Sequence, residues 1–464
     1  MKISTLPCVL CSIAALLAPA AVSAQSTTDQ PGTTAQTPAS PGPTDQVPAS
    51  VRRGFHGLFG GPSDPARSSL DLRFSAFGAY DDDLLGAYTT TGVTPPGQQT
   101  SGMFGSTTAG LTFTQPGNRF SGGVDTDVSV SQYPSLNQTN GMYHADGNLT
   151  ARLARNTRLS AAGDFSYAPE YRLGLFIDPA SLTGAANPFQ TVSTDYDLFR
   201  LKTLRAGGHV LVSQTIGHRA SVDGYYNSNN VNYLNDSPLN YREQFAGARF
   251  VNRFSQHLAL RAGYSYDTAT YGVFPQPRRV HNLDLGVDYS RPLSRSRRTS
   301  VSFSSGSAIL TGQDQLTGNT GKNTYYYFLA NAALRHEIGR SWTAVGAYRR
   351  SVDWHEGFVQ PFLSDGVNAS LEGLISRRLH FTSSADYTFG TVGVSTEAGN
   401  DRYDSLSAQA GLEYGVSRTV AVFSRYVYYH YHFDSGVILD PRLRPTLERQ
   451  GARVGVTVFV PVIR

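Results

Sequence analysis

From Ser69 to the C-terminus, apolar residues recur with a period of two, and this alternation limits the folds open to the chain more than any other feature. In the segment Leu258 to Asp267, Leu258, Leu260, Ala262, Tyr264 and Tyr266 share one face, while Ala259, Arg261, Gly263, Ser265 and Asp267 share the other. The pattern returns where Leu283, Leu285, Val287 and Tyr289 oppose Asn282, Asp284, Gly286 and Asp288. It returns again where Leu379, Phe381, Ala385, Tyr387 and Phe389 oppose His380, Thr382, Ser384, Asp386 and Thr388. Near the end, Val454, Val456, Val458, Val460 and Val462 alternate with Gly455, Thr457, Phe459 and Pro461. Helices bury every third or fourth residue, whereas strands with one apolar face bury every second one. The chain is therefore all-β.

The connections between these segments are of two kinds. Eight are tight and polar: 115–118, 155–157, 215–218, 255–256, 292–296, 338–340, 377–378 and 415–418. Nine are longer: 81–101, 134–140, 171–194, 234–239, 272–277, 309–322, 355–361, 393–401 and 434–446. Together they separate eighteen strands, centred near 75, 108, 126, 147, 163, 206, 226, 247, 264, 285, 303, 330, 348, 370, 385, 409, 426 and 455. An even number of strands, with tight turns at one end and long loops at the other, predicts a closed antiparallel transmembrane β-barrel of 16–18 strands.

Composition agrees with this fold and excludes others. Only 16% of the 464 residues are charged, against roughly 25% in typical soluble domains. Gly (46) and Tyr (26) are abundant. Mean hydropathy is −0.28, and no stretch after residue 24 approaches the ~20 apolar residues of a membrane-spanning helix. The net charge of +4 is too small to favour nucleic acid as a partner. Lys occurs only at positions 2, 202 and 322, so 36 of the 39 basic residues are Arg.

The N-terminal residues read differently. Met1 to Ala24 has the form of a secretory signal peptide, with Lys2, an apolar segment and Val22-Ser23-Ala24 at the cleavage positions. Both cysteines, Cys8 and Cys11, lie within it, which leaves the mature chain without disulfides or cysteine metal ligands. Residues 25–68 are expected to form a disordered periplasmic tether, rich in Pro, Thr and Ser over Gln25 to Ser50. The barrel is expected to occupy 69–464.

With its strands and unequal connections laid out, the chain resembles the outer-membrane β-barrels of Gram-negative bacteria, porin-like ones in particular. The resemblance covers 69–462 and is one of architecture. It implies short turns in the periplasm, longer loops outside the cell and a location in the cell outer membrane. The aromatic clusters Tyr225-Tyr226, Tyr264 and Tyr266, Tyr325 to Phe328, and Tyr426 to Phe433 fit the girdle where rings sit half in lipid and half in water. Barrels of this kind commonly end on an aromatic residue. This chain ends Phe459-Val460-Pro461-Val462-Ile463-Arg464, with its last aromatic displaced inward.

Charged residues on the polar faces are the functional candidates, because several kcal/mol would be lost by turning each toward hydrocarbon. Asp125, Asp127, Asp164, Arg205, Arg249, Arg261, Asp284, Asp288, Arg349 and Arg425 are expected to line a water-filled lumen. The 171–194 connection carries Leu175, Phe176, Asp178 and Phe189, an apolar set expected to fold inward and constrict the channel. His430-Tyr431-His432 could place two imidazoles on one face, yet its aromatic neighbours favour girdle histidines over a metal pair. Trp354-His355-Glu356 reads as a strand rim. No nucleophile elbow or Ser/His/Asp grouping stands out, so neither enzyme activity nor a cofactor is expected. The expected function is passive diffusion of small polar solutes or saccharides across the outer membrane, in contact with its lipid. Alternatives are an accessory barrel of an exopolysaccharide export or secretion system, its tether touching a periplasmic partner or the cell wall, and a structural surface barrel with a closed lumen.

Overall fold

The structure, a computed structural model, describes residues 58–59, 67–84, 101–171, 199–234, 240–272, 274–293, 298–313, 322–353, 355, 358, 360–393, 401–437, 439 and 443–463. The expected signal peptide and nearly all of the expected tether lie outside these residues. Eighteen strands follow in order: β1 (Ser69–Asp81), β2 (Gly102–Gln115), β3 (Phe120–Tyr133), β4 (Gln138–Ala154), β5 (Thr157–Tyr171), β6 (Phe199–Ile216), β7 (Ala220–Tyr233), β8 (Tyr241–Arg253) and β9 (Leu258–Tyr271). They continue with β10 (Phe274–Pro292), β11 (Thr299–Gln313), β12 (Lys322–Ile338), β13 (Trp342–Asp353), β14 (Phe362–Leu374), β15 (Leu379–Val392), β16 (Arg402–Gly415), β17 (Val420–Phe433) and β18 (Thr446–Ile463). Each strand pairs antiparallel with its neighbour in sequence, and β18 returns to pair with β1. The barrel is closed, and all eighteen expected strand centres fall within the observed strands.

Closure divides every strand into a convex and a concave face. The register carries one parity outward around the whole circumference: Ala76 opposite Thr107, Val128 opposite Tyr143, Val210 opposite Tyr226, Tyr264 opposite Leu283, Val367 opposite Tyr387, and Val456 opposite Ala76. Large apolar side chains on this face are exposed, Leu285 by 68% and Phe74 by 47%. Such a continuous apolar exterior belongs in hydrocarbon, where a closed sheet leaves no backbone polar group unpaired. The strands run 12–19 residues, longer than the roughly 9–11 that cross a bilayer, so the barrel extends beyond the membrane.

Three details differ from the sequence reading. Two connections expected to be long are tight: 134–137, which turns through Asn137 at φ 49°, and 272–273, because β10 starts at Phe274. The aromatic run at the end of β17 is split by the pleat. Tyr426 and Tyr428 face outward with the girdle, whereas Tyr429, Tyr431 and Phe433 face inward and are fully buried. Residues 58–59, placed within a disordered tether, meet the barrel: the Leu58 N–H donates to the Arg377 carbonyl at 2.8 Å, and the Phe59 ring lies edge-on to Phe459 at 6.1 Å.

The seam where β18 meets β1 is fastened at the loop end. Arg449 donates from Nε and Nη2 to the two carboxylate oxygens of Asp81, both at 2.9 Å, and Arg444 reaches Asp83 at 3.0 Å. Asp81 and Arg449 are both nearly inaccessible to water. Removing one partner strands a buried charge, so Arg449→Met should lower the unfolding free energy of the refolded barrel by about 3 kcal/mol. The double variant Arg449→Met, Asp81→Leu should recover most of that loss in urea titrations.

Candidate functional site

All ten residues expected to line the lumen have inward parity: Asp125 and Asp127 on β3, Asp164 on β5, Arg205 on β6, Arg249 on β8, Arg261 on β9, Asp284 and Asp288 on β10, Arg349 on β13 and Arg425 on β17. The structure gathers them into separate groups. On β7–β11, Arg249 pairs with Asp223 at 3.1 Å, each only 2% exposed. Next to them Arg261 bridges two carboxylates, Asp284 at 2.6 Å and Asp288, and donates to the Ser305 carbonyl at 2.7 Å. Asp223 stands in this network although it was not among the expected residues. Its partner became identifiable only once the register placed Arg249 opposite it.

These arginines lie flat because glycines make room for them. A Cβ on Gly286 would fall 2.9 Å from the Arg261 guanidinium and 1.9 Å from the Ser305 carbonyl oxygen. Gly247 lies beneath the Tyr225 ring in the same way, a Cβ there falling 2.6 Å from it. Inward glycine opposite a long inward side chain turns a charge that would project into the lumen into one laid along its wall.

The wall of β3–β6 has a different character. Asp125, Asp146 and Asp164 are direct cross-strand neighbours, with Thr112 on the flanking strand donating its hydroxyl to Asp125. One inward position along lie Asp127, His144, Ser166 and Arg205, each opposite the next. His144 Nε2 comes within 3.5 Å of Asp146. These side chains are only half-buried, and Asn148 beside them is exposed. Water reaches this wall.

The opposite wall is covered. Ser364, Asn368, Asp386, Ser405 and Ser407 on β14–β16 face inward but are buried, as are Tyr429, Tyr431 and Phe433. The material covering them includes the connections before β14 and between β17 and β18. Phe358 is 2% exposed and packs at 4.8 Å from Phe362 and 5.7 Å from Phe433, with Tyr403 completing the ring cluster. Val437, Leu443 and Leu447 join it. At the short-turn end, Phe59 approaches the inward side of Gly415. The sequence reading assigned the constriction to 171–194, and Leu175, Phe176, Asp178 and Phe189 lie outside the described residues. It missed Phe358 and Leu443 because single apolar residues in polar loops carry no periodic signal. His355, read as a strand rim, is buried against Phe362 at 4.5 Å.

His430 and His432 face outward, opposite Glu448 and Thr446, and His432 Nδ1 meets the Thr446 hydroxyl at 2.7 Å. Among the described residues no group of three or more His, Cys, Asp or Glu is arranged to hold a metal. A closed sheet of eighteen strands, apolar without and polar within, decides the class. The chain is a closed eighteen-stranded antiparallel β-barrel whose apolar exterior suits hydrocarbon. No family model matches the sequence, and no curated protein matches it. Solved structures similar to it include Pseudomonas aeruginosa OccK2 (OpdF), in complex with glucuronate, at TM-score 0.43 and 12% identity over 85% of this chain and 98% of that one. Pseudomonas aeruginosa OpdL gives 0.42 and 12% over 86% and 100%. Acinetobacter baumannii OccAB3 gives 0.41 and 11% over 85% and 100%.

The glycine beds of the wall can be tested directly. Gly286→Ala must displace backbone and should cost about 2 kcal/mol or more in urea titrations of the folded barrel. Gly346→Ala, on the outward face with nothing within 4 Å of its Cβ, should leave the midpoint unchanged.

Proposed function

We propose that the protein is a porin-like channel for passive diffusion of small polar solutes or saccharides across the outer membrane. The observation that carries this reading is the water-accessible polar wall of β3–β6. Sixteen to eighteen strands enclose more space than side chains alone fill, leaving an aqueous passage in barrels of this size. Here the covered β14–β18 side displaces that passage toward the acidic wall. A solute moving along it meets carboxylates, hydroxyls, an amide and Arg205, groups that replace water hydrogen bonds without binding tightly. Rings and rows of charge in a narrow lumen bias which ions pass. The Asp125, Asp146 and Asp164 row therefore favours cations and hydroxyl-rich neutral solutes over anions. No step requires a cofactor.

A second reading, a structural barrel with a closed lumen, draws support from the buried rings of Phe358, Phe362, Tyr403 and Phe433. Planar-bilayer recording separates the two. A channel should give ohmic openings with modest cation preference. Asp125→Asn, Asp146→Asn and Asp164→Asn combined should move the reversal potential toward anions, and Phe358→Ala should raise unit conductance. Silence from correctly folded protein would favour the closed barrel.

A further inference from the structure

The short-turn end carries a chemistry that a diffusion channel does not need. The eight connections of the short-turn end, spanning 115–120, 152–158, 216–220, 253–258, 291–299, 338–342, 374–379 and 415–420, each contain at least one Arg, and none contains Asp or Glu. Each also holds a large apolar side chain that is exposed. In adjacent turns the two are spaced alike: Ile338 with Arg340, Ile375 with Arg377, and Val416 with Arg418. Those apolar residues continue the outward parity of β12, β14 and β16, and the arginines two positions on are exposed at the turn tips. The long-loop end is not built this way, since Asp82, Asp401 and Asp434 are interspersed there with Arg402 and Arg444.

We propose that the short-turn end is a collar that binds the headgroups of anionic phospholipids in the leaflet it meets. This rests on the membrane-spanning reading above and adds to it a class of lipid and the residues that recognise it. The apolar member of each pair reaches the acyl boundary while the guanidinium stays level with the phosphates, the usual division of labour of a long cationic side chain at an interface. The planar fork of Arg donates to two phosphate oxygens at once, and Arg keeps its charge at any working pH. A soluble partner would need only a patch of turn tips. The arginines instead follow the whole perimeter, each beside a lipid-facing apolar residue, which matches a ring of lipids rather than a docked protein.

The test uses the full chain reconstituted in phosphatidylcholine vesicles containing a trace of spin-labelled phosphatidylglycerol or spin-labelled phosphatidylcholine. Electron paramagnetic resonance reads the fraction of each label immobilised at the protein. Each arginine in contact should favour the anionic label by about fivefold at low salt, fading as salt shortens the screening length. The combined variant Arg340→Gln, Arg377→Gln, Arg378→Gln, Arg418→Gln should lose a large part of the preference, and each single variant a smaller part should the combination fold poorly. Equal immobilisation of the two labels by the wild type would overturn the proposal, as would a preference unchanged in the variants. In either case a heat-modifiable, protease-protected barrel in the vesicles would leave the membrane-spanning reading standing. Failure to insert at all would defeat both.

Discussion

Unpaired backbone polar groups cannot be left in hydrocarbon, and the rest of this structure depends on that constraint. Each costs several kcal/mol there, so a sheet crossing a membrane must close on itself. Closure fixes the parity of every residue at once, because adjacent strands pair position by position around the ring. A single register slip would turn the lipid-facing row of Val454 to Val462 into the lumen and bring Arg453 to the lipid. The alternation in sequence and the ladder in space are thus one constraint seen twice, and the buried Asp81–Arg449 pair holds the final register where the ends of the barrel meet.

What that constraint governs was legible in the sequence. Period-two alternation around Leu283 to Tyr289 told inside from outside without structure, and it placed all ten charged candidates on the concave face. Strand number followed from turn chemistry, because tight turns such as Ile338 to Arg340 interrupt the alternation sharply. Two connections misled. The Gly- and Pro-rich residues 272–277 looked like loop, yet most are absorbed into β10, whose register is irregular between Phe274 and Arg278. Irregular pairing obscures alternation, so composition alone overstates the loop.

The remainder was illegible for a physical reason. Girdle residues and lumen-filling aromatics have the same composition, and only parity and a covering segment tell Tyr428 from Tyr429. Alternation supplies the parity, but nothing local announces that Phe358 and Leu443 will come to rest against that face. Contacts made across a lumen join residues distant in sequence, with no repeating period to mark them. Asp223 was overlooked for a different reason: its partner Arg249 stands opposite it on the neighbouring strand, and that pairing appears only in the register.

The division between wall and filling also says where function can vary. Strands of this barrel are constrained on both faces, by lipid outside and by the glycine-bedded ion pairs inside, so a substitution there risks the fold before it alters transport. Gly286 illustrates this, since it serves Arg261 and the backbone of β11 together. Connections are under no such double constraint. An eighteen-stranded circumference leaves more interior than its own side chains occupy, and whatever enters from the loops sets how much of the polar β3–β6 wall a solute can use. In the channel proposed above, specificity is a property of the filling, carried by residues such as Phe358, Val437 and Leu443, whereas the strands supply a charged surface whose arrangement the fold itself requires.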